Sequence, residues 1–400
     1  MTNTPQTQTL RVPATPAGRA LAPDLARGAM LLFIALANSA NVAFAGQPGI
    51  DPAPTGAGRV LNAFLLTFVD SRAYPVFAVM FGYGLVQLAR RHSAAGADPR
   101  PVLLRRNAWL VGFGLAHATL LYFGDFLGAY GVIGVLATLL LLRRGDRFHR
   151  IVLWLWGATL GYALVLGVLL AVRLGGDTGG HATLTNSPNP SLAATTYGRS
   201  LLDRLAEWPA HTATVIPVIV IVWLGMWAAR RRLLEDAAAH VALLRRVAVG
   251  CLAVTVAGAV PYALVGAGLV DVEPGTVDLM ALVHAVSGEF GGPGYVALFA
   301  LLALRFGRAG TPWVGVLAVS ALGRRSMSGY LFQSVAWMAL LSPWALDLGR
   351  HGGTAFVAAG IAVAVWLISV AVAWRLDVRG VQGPAETLLR RLAYGPRVRV

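Results

Sequence analysis

Long apolar runs alternate along this chain with short polar breaks that carry arginine. Ten such runs stand out, at about 28–45, 73–89, 107–123, 126–142, 151–172, 211–229, 247–269, 284–304, 326–342 and 354–374. Each approaches the roughly 17–25 residues that a helix needs to cross the hydrocarbon of a bilayer. Helix is the element expected there, because hydrocarbon offers the backbone no outside hydrogen-bond partner. The pattern therefore predicts an all-α, polytopic transmembrane bundle of about ten spans. Two shorter apolar stretches, 59–69 and 311–322, predict interfacial helices, the first of which could instead lengthen the second span. Residues 1–24 are polar and rich in Thr, Pro and Ala, and predict a disordered tail. Residues 25–375 form the expected membrane domain and 376–400 a basic tail. The stretch 173–210, with Ser187-Pro188-Asn189-Pro190-Ser191 inside it, predicts an exposed lid or linker without strong secondary structure.

Composition supports the membrane class. The chain is 56% hydrophobic and 13% charged, with a mean hydropathy of +0.65. A soluble domain carries about 25% charged residues. The net charge of +15 and pI near 11.1 would suggest nucleic acid in a soluble protein. Here that partner is not expected, because the charge lies in the breaks between spans. All 33 basic residues are arginine. Twenty-seven sit in the tails and in alternate breaks, and six in the breaks between. That two-beat rhythm is the positive-inside pattern, so both termini are expected on the cytoplasmic side, with the lipid bilayer as partner. Ala43-Phe44-Ala45 fits a signal-peptidase site after Ala45. The first helix is nevertheless expected to stay, because it carries Asn38 and Asn41, for which a disposable signal has no use. The single cysteine, Cys251, lies in an apolar run and excludes an intrachain disulfide.

Polar side chains inside the runs are the candidates for chemistry, since each costs free energy in hydrocarbon. Asp24, Arg27 and Asn38 fall on one broad face of the first helix. A capping carboxylate and an inside-positive anchor would explain the first two equally. The third span should run outward, which places His117 in its outer half and Asp125 at the outer turn, with Tyr130 following on the fourth span. Those three predict a proton-handling cluster. The alternatives are a satisfied interhelical hydrogen bond for His117 and a helix N-cap for Asp125. Glu289, in Ser287-Gly288-Glu289-Phe290-Gly291-Gly292-Pro293, predicts a broken helix lying against protein or a water-filled cavity, unless it is a solvated helix start. Gln333 and Ser334 add polar groups to the ninth span. The remaining histidines fall mostly in loops, so no metal site is expected. P-loop, CxxC, HExxH and GxSxG motifs are absent.

Taken in order, these patches resemble the YeiB-like bacterial inner-membrane proteins. Asp24-Leu25-Ala26-Arg27-Gly28 with Asn38 is similar to their "DxLRG…N" opening. Phe77 to Gly84, and Arg105-Arg106 with Gly114, His117, Gly124-Asp125 and Tyr130, resemble two further motifs. Gly323-Arg324, Met327-Ser328, Tyr330 and Gln333-Ser334, then Gly383-Pro384, Glu386, Arg390 and Tyr394-Gly395, resemble the C-terminal region, about 225–396, known as domain of unknown function 418. Ala26, Phe126 and Gly329 depart from the pattern. The resemblance implies a multi-pass protein of the inner membrane. It also implies a distant likeness to transmembrane acyltransferases that move an acyl group from acyl-CoA to an envelope glycan, lipid or small-molecule acceptor. On that reading His117 is the base, Asp125 orients it and Tyr130 assists. Asp24, Arg27, Asn38, Glu289 and Gln333 would meet the acceptor. Arg105, Arg106, Arg324 and Arg325 would meet the phosphates of acyl-CoA, a co-substrate rather than a permanently bound cofactor. A small-solute or ion transporter and a non-catalytic scaffold are the other readings. The oligomeric state stays open, with a homodimer among the options.

Overall fold

The structure is a computed structural model that describes residues 21–395, apart from 181, 183, 185, 186, 309–312 and 351–353. Most of the expected N-terminal tail and the last five residues of the basic tail lie outside the described residues. Among those described, the helices in chain order are α1 (Leu21–Phe44), α2 (Ala57–Phe64), α3 (Ala73–Ala94), α4 (Arg100–Leu120), α5 (Phe126–Leu140) and α6 (Asp146–His149). Then come α7 (Ile151–Gly175), α8 (Pro190–Ala193), α9 (Tyr197–Val215), α10 (Ile219–Arg230), α11 (Val241–Gly266) and α12 (Pro274–Gly288). The last are α13 (Gly291–Arg308), α14 (Val314–Arg324), α15 (Ser326–Leu341), α16 (Thr354–Val378) and α17 (Pro384–Tyr394). Two short strands, β1 (Gly46–Gln47) and β2 (Ser187–Pro188), pair antiparallel.

Every one of the ten expected runs coincides with helix. Six helical segments among the described residues are long and apolar enough to cross a membrane, or seven if the pair α12–α13 is one bent span. The chain is thus a helical, multi-pass membrane protein. Helices α5 and α15, with 15 and 16 residues, are short for a full crossing, and α4 carries three arginines in its first two turns.

Three expectations change. The stretch 59–69 is helical, as α2 followed by a π turn over Leu65–Val69, and it runs up to the start of α3. Within the stretch 311–322 the short apolar helix α14 packs into the bundle against α1 and α16, with Val316, Leu317, Ser320, Ala321 and Leu322 buried. Glycines make that contact. A Cβ on Gly323 would collide with the Asp24 carbonyl, and one on Gly28 with the Val319 carbonyl. The stretch 173–210 is not a featureless lid, because α8 and the first half of α9 occupy it. The Thr196 hydroxyl caps α9, and Glu207 accepts hydrogen bonds from the Ser191 amide, at 3.1 Å, and from its hydroxyl. Near the start of this stretch Asp177 accepts from the Thr276 hydroxyl and the Gly179 and Glu273 amides, which hold its carboxyl below the usual range.

Helices α3 and α10 meet backbone to backbone. A Cβ on Gly82 would strike the Val222 carbonyl, and one on Gly225 the Val79 carbonyl. Small residues are how membrane helices gain close van der Waals contact, since lipid is as apolar as the helix faces themselves. Gly82→Ala should therefore cost about 1–3 kcal/mol, because the obstacle is backbone and only separation of the helices relieves it. Gly161→Ala, where a Cβ meets open space on α7, should leave thermal unfolding in detergent unchanged.

Candidate functional site

A single large cavity of about 840 Å³ runs through the bundle. At its arginine-rich end it is lined by Arg27, Arg106, Arg324 and Glu386. At the opposite end Gln47, Asp70 and Ser187 line it. Between them lie Asn38, Tyr74, Tyr130, His284 and Glu289. The wall is thus built from α1, α3, α4, α5, α12 and the α14–α15 corner.

At the arginine-rich end the guanidiniums are held from behind. Arg27 donates to the Met80 carbonyl at 3.1 Å and lies 3.7 Å from Asp24. Arg324 forms a forked pair with Asp377 at 3.2 and 2.6 Å. Arg106 stands 6.0 Å from the Phe81 ring centroid and 3.4 Å from the Asn107 amide oxygen. Glu386, from α17, accepts from the Met327 and Ser328 amides at 2.8 and 3.1 Å and so caps α15 from outside it. Two of the arginines expected here are elsewhere. Arg105 is exposed and off the cavity wall. Arg325 is buried and spent on Asp377 and the Val381 carbonyl, where it ties the end of α16 to the α14–α15 corner.

His117 and Asp125 are brought together, as the spacing suggested. Nδ1 of His117 lies 2.9 Å from Asp125 Oδ1. Asp125 also accepts from Leu127 N at 3.1 Å and Gly128 N at 2.6 Å, and so caps α5. Gly114 and Gly128 allow this: a Cβ on Gly114 would collide with the Gly128 backbone and with the Asp125 carboxylate. The third member is not Tyr130. The Tyr130 hydroxyl donates to the Tyr74 carbonyl at 2.7 Å, on the cavity wall. Instead Ser334 Oγ lies 2.8 Å from His117 Nε2. With Asp125 accepting from Nδ1–H, Nε2 is left to accept from Ser334, whose one proton also has the Tyr330 carbonyl in reach at 3.2 Å; this tautomer is assigned from the network. The line Ser334–His117–Asp125 has the order of a serine, histidine and carboxylate triad. All three residues are at most 2% exposed, and none lines the cavity. Tyr330, which does line it, packs its ring 4.8 Å from the imidazole.

Asn38, Arg27 and Glu289 line the cavity, as an acceptor site requires, but Asp24 and Gln333 do not. Asp24 is buried behind Arg27 and Arg324. Gln333 is fully buried, and neither amide atom has a hydrogen-bond partner among the described residues. The expected break at Glu289 is real: α12 and α13 meet at a bend of 41°.

Sequence reasoning missed the cluster beside that break. Arg72 is fully buried, donates to the Asp70 carbonyl at 2.6 Å and lies 2.9 Å from His284 Nε2. Its side chain threads a slot between Gly288 and Gly291, where added Cβ atoms would lie 3.1 Å from Nη1 and 3.3 Å from Cγ. The glycines around Glu289 thus make room for an arginine from another helix. His284 had been placed among histidines mostly in loops; it is buried in α12 and faces the cavity. The signal was available: a histidine one turn before Ser287-Gly288-Glu289 in an apolar run is an ionisable group at membrane depth.

Residues 228–396 match the family described as "Protein of unknown function (DUF418)". Over nearly its whole length the chain is similar to YeiB of Escherichia coli (strain K12), an uncharacterized protein. The two are 26% identical over 404 residues, covering 94% of this chain and 97% of YeiB. The uncharacterized protein YxaH of Bacillus subtilis (strain 168) is 24% identical over 351 residues, covering 82% of this chain and 80% of YxaH. The molecule is therefore a helical multi-pass membrane protein similar to YeiB and YxaH, and its C-terminal part matches the DUF418 family.

Proposed function

We propose that the protein is a membrane-embedded acyltransferase of the cytoplasmic membrane, with ten spans and both termini in the cytoplasm. Acyl-CoA enters at the arginine-rich end, and the acceptor reaches the cavity from the opposite end. The observation that carries this reading is the cavity itself, which has three guanidiniums on its wall at one end and continues to the other end of the bundle. Arg27, Arg106 and Arg324 suit the phosphates of the donor, because guanidinium matches phosphate in charge and fork geometry. The acceptor's nucleophilic atom attacks the thioester carbonyl, the C–S bond breaks, and the thiolate leaves toward the arginines. The acceptor's proton must go to a base. His117, polarised by Asp125, is the candidate, one side chain behind the wall and covered by Tyr330. Rotation of that ring would bring Nε2 to the cavity; the Tyr330 hydroxyl lies a long 3.5 Å from the Gly124 carbonyl and also meets the Phe126 backbone.

Purified protein in detergent should bind acetyl-CoA, and Arg106→Ala should weaken that binding about tenfold, the effect of losing one charge-assisted contact of roughly 1.4 kcal/mol. Absence of acetyl-CoA binding, or equal binding by Arg106→Ala, would sink the reading. One observation favours transport instead: Glu289 lies on the cavity wall at a helix break, the kind of place where transporters bind ions and solutes. Solute flux in proteoliposomes that Glu289→Gln abolishes would establish it.

A further inference from the structure

The cavity is segregated by charge. Every arginine on its wall, namely Arg27, Arg106 and Arg324, stands at the arginine-rich end. In the other half the charged groups on the wall are the carboxylates Asp70 and Glu289. Behind them is one cation, the buried Arg72. Its Nη1 donates to the Asp70 carbonyl and meets His284, while Nε and Nη2 have no hydrogen-bond partner among the described residues. His284 Nε2 is shared between that guanidinium and the Leu66 carbonyl, each at 2.9 Å. The Asp70 carboxylate accepts from the Ser71 hydroxyl at 3.1 Å and lies 3.8 Å from His284, while about a quarter of its side chain stays exposed. Two carboxylates and no arginine on its wall make this half of the cavity acidic where the other is basic. Such an imbalance at membrane depth is costly unless something balances it.

The remaining wall shows what fits. Tyr74 lies within electrostatic range of both carboxylates, and Tyr122 and Tyr262 line the same half. Aromatic faces beside carboxylates recognise an ammonium group through cation–π attraction and charge. Asn38 and Asn41, also on the wall, supply amide partners. We infer that this half of the cavity binds an amine-bearing molecule, its ammonium seated between Asp70 and Glu289 among the tyrosines. The inference rests on the acyl-transfer reading only in making that amine the acceptor. There the ammonium gives one proton to Glu289 and the free amine attacks the thioester carbon. A C–N bond forms, the C–S bond breaks, and the amine's second proton passes to His117 and from it to the departing thiolate. The product is an amide, and Glu289 returns its proton to water.

The test is calorimetric titration of the purified full chain in detergent with three isosteric probes, benzylamine, benzyl alcohol and benzoate. Benzylamine, protonated at neutral pH, should bind at least about tenfold tighter than the other two. Asp70→Asn and Glu289→Gln should each remove about tenfold of that preference. Equal affinity for benzyl alcohol would overturn the inference, and so would a preference unchanged in both variants. Because the three-probe comparison on the unaltered chain decides the matter, a variant that fails to fold does not block it. Acetyl-CoA titrated into the same preparation separates the two claims. Amine binding without acetyl-CoA binding keeps the ammonium site and removes acyl transfer; acetyl-CoA binding without amine preference does the reverse.

Discussion

Asp125→Ala should destabilise the protein by about 3–5 kcal/mol, the range for removing one partner of a buried charged network. Three donors converge on this carboxylate: His117 Nδ1 and the amides of Leu127 and Gly128. None has water to fall back on, since Asp125 and His117 side chains are both fully buried. Alanine orphans all three and uncaps α5. His117→Ala should cost less, because Asp125 keeps its two backbone donors. Asp125→Asn separates structure from chemistry. Its amide oxygen still accepts from the backbone, so stability should fall by only about 1–2 kcal/mol. Its NH2 group, however, now faces His117 Nδ1 and must donate to it. The imidazole proton moves to Nε2, the nitrogen that has to accept in the proposed acyl transfer. Loss of activity by two to four orders of magnitude is then expected, as in hydrolytic triads whose tautomer is inverted (on the order of 10⁴). Thermal unfolding in detergent reads the first effect, and imidazole nitrogen NMR with a turnover assay reads the second. An Asp125→Asn protein that turns over normally would reduce the pair to a helix cap.

What the sequence made legible follows from how strong each signal is. Hydrophobic run length located the helices of the ten runs, because hydrocarbon leaves the backbone no other choice, but it missed most of α9, which carries Arg199, Asp203, Arg204 and Glu207. The His117–Asp125 contact was legible because eight residues span a tight turn between antiparallel helices, so the two are local. Ser334 lies 217 residues from His117, and no short-range pattern could place its hydroxyl there. The arginine expectation half failed for a related reason. Arg105 and Arg106 are adjacent on α4 and therefore point about 100° apart, so only one can face the cavity. Arg324 and Arg325 divide in the same way, one onto the cavity and one into the C-terminal anchor. Positive-inside counting gives the end of the bundle but says nothing of the face. The glycines around Glu289 were read correctly as a break, yet their cause, a guanidinium arriving from α3's first turn, belongs to another helix.

That guanidinium sets the last expected result. Arg72→Ala should destabilise by about 3–5 kcal/mol, because it strips Asp70 of its buried counter-charge and empties the slot between Gly288 and Gly291. Arg72→Lys should recover little. A lysine ammonium could donate to both the Asp70 carbonyl and His284, but its shorter stem and missing planar fork leave part of the slot empty and the nitrogen short of Nη1. The two contributions, charge and packing, separate in a double-mutant cycle. If charge dominates, Asp70→Asn should restore part of the loss in an Arg72→Ala background while costing stability in the wild-type background. The interaction energy expected for such close, shared-network residues is about 0.5–3 kcal/mol. Midpoints of thermal unfolding for the four proteins in one detergent give the cycle directly. Additive effects would mean that Arg72 holds the α12–α13 bend open by volume alone, and the Asp70 carboxylate would then need another partner.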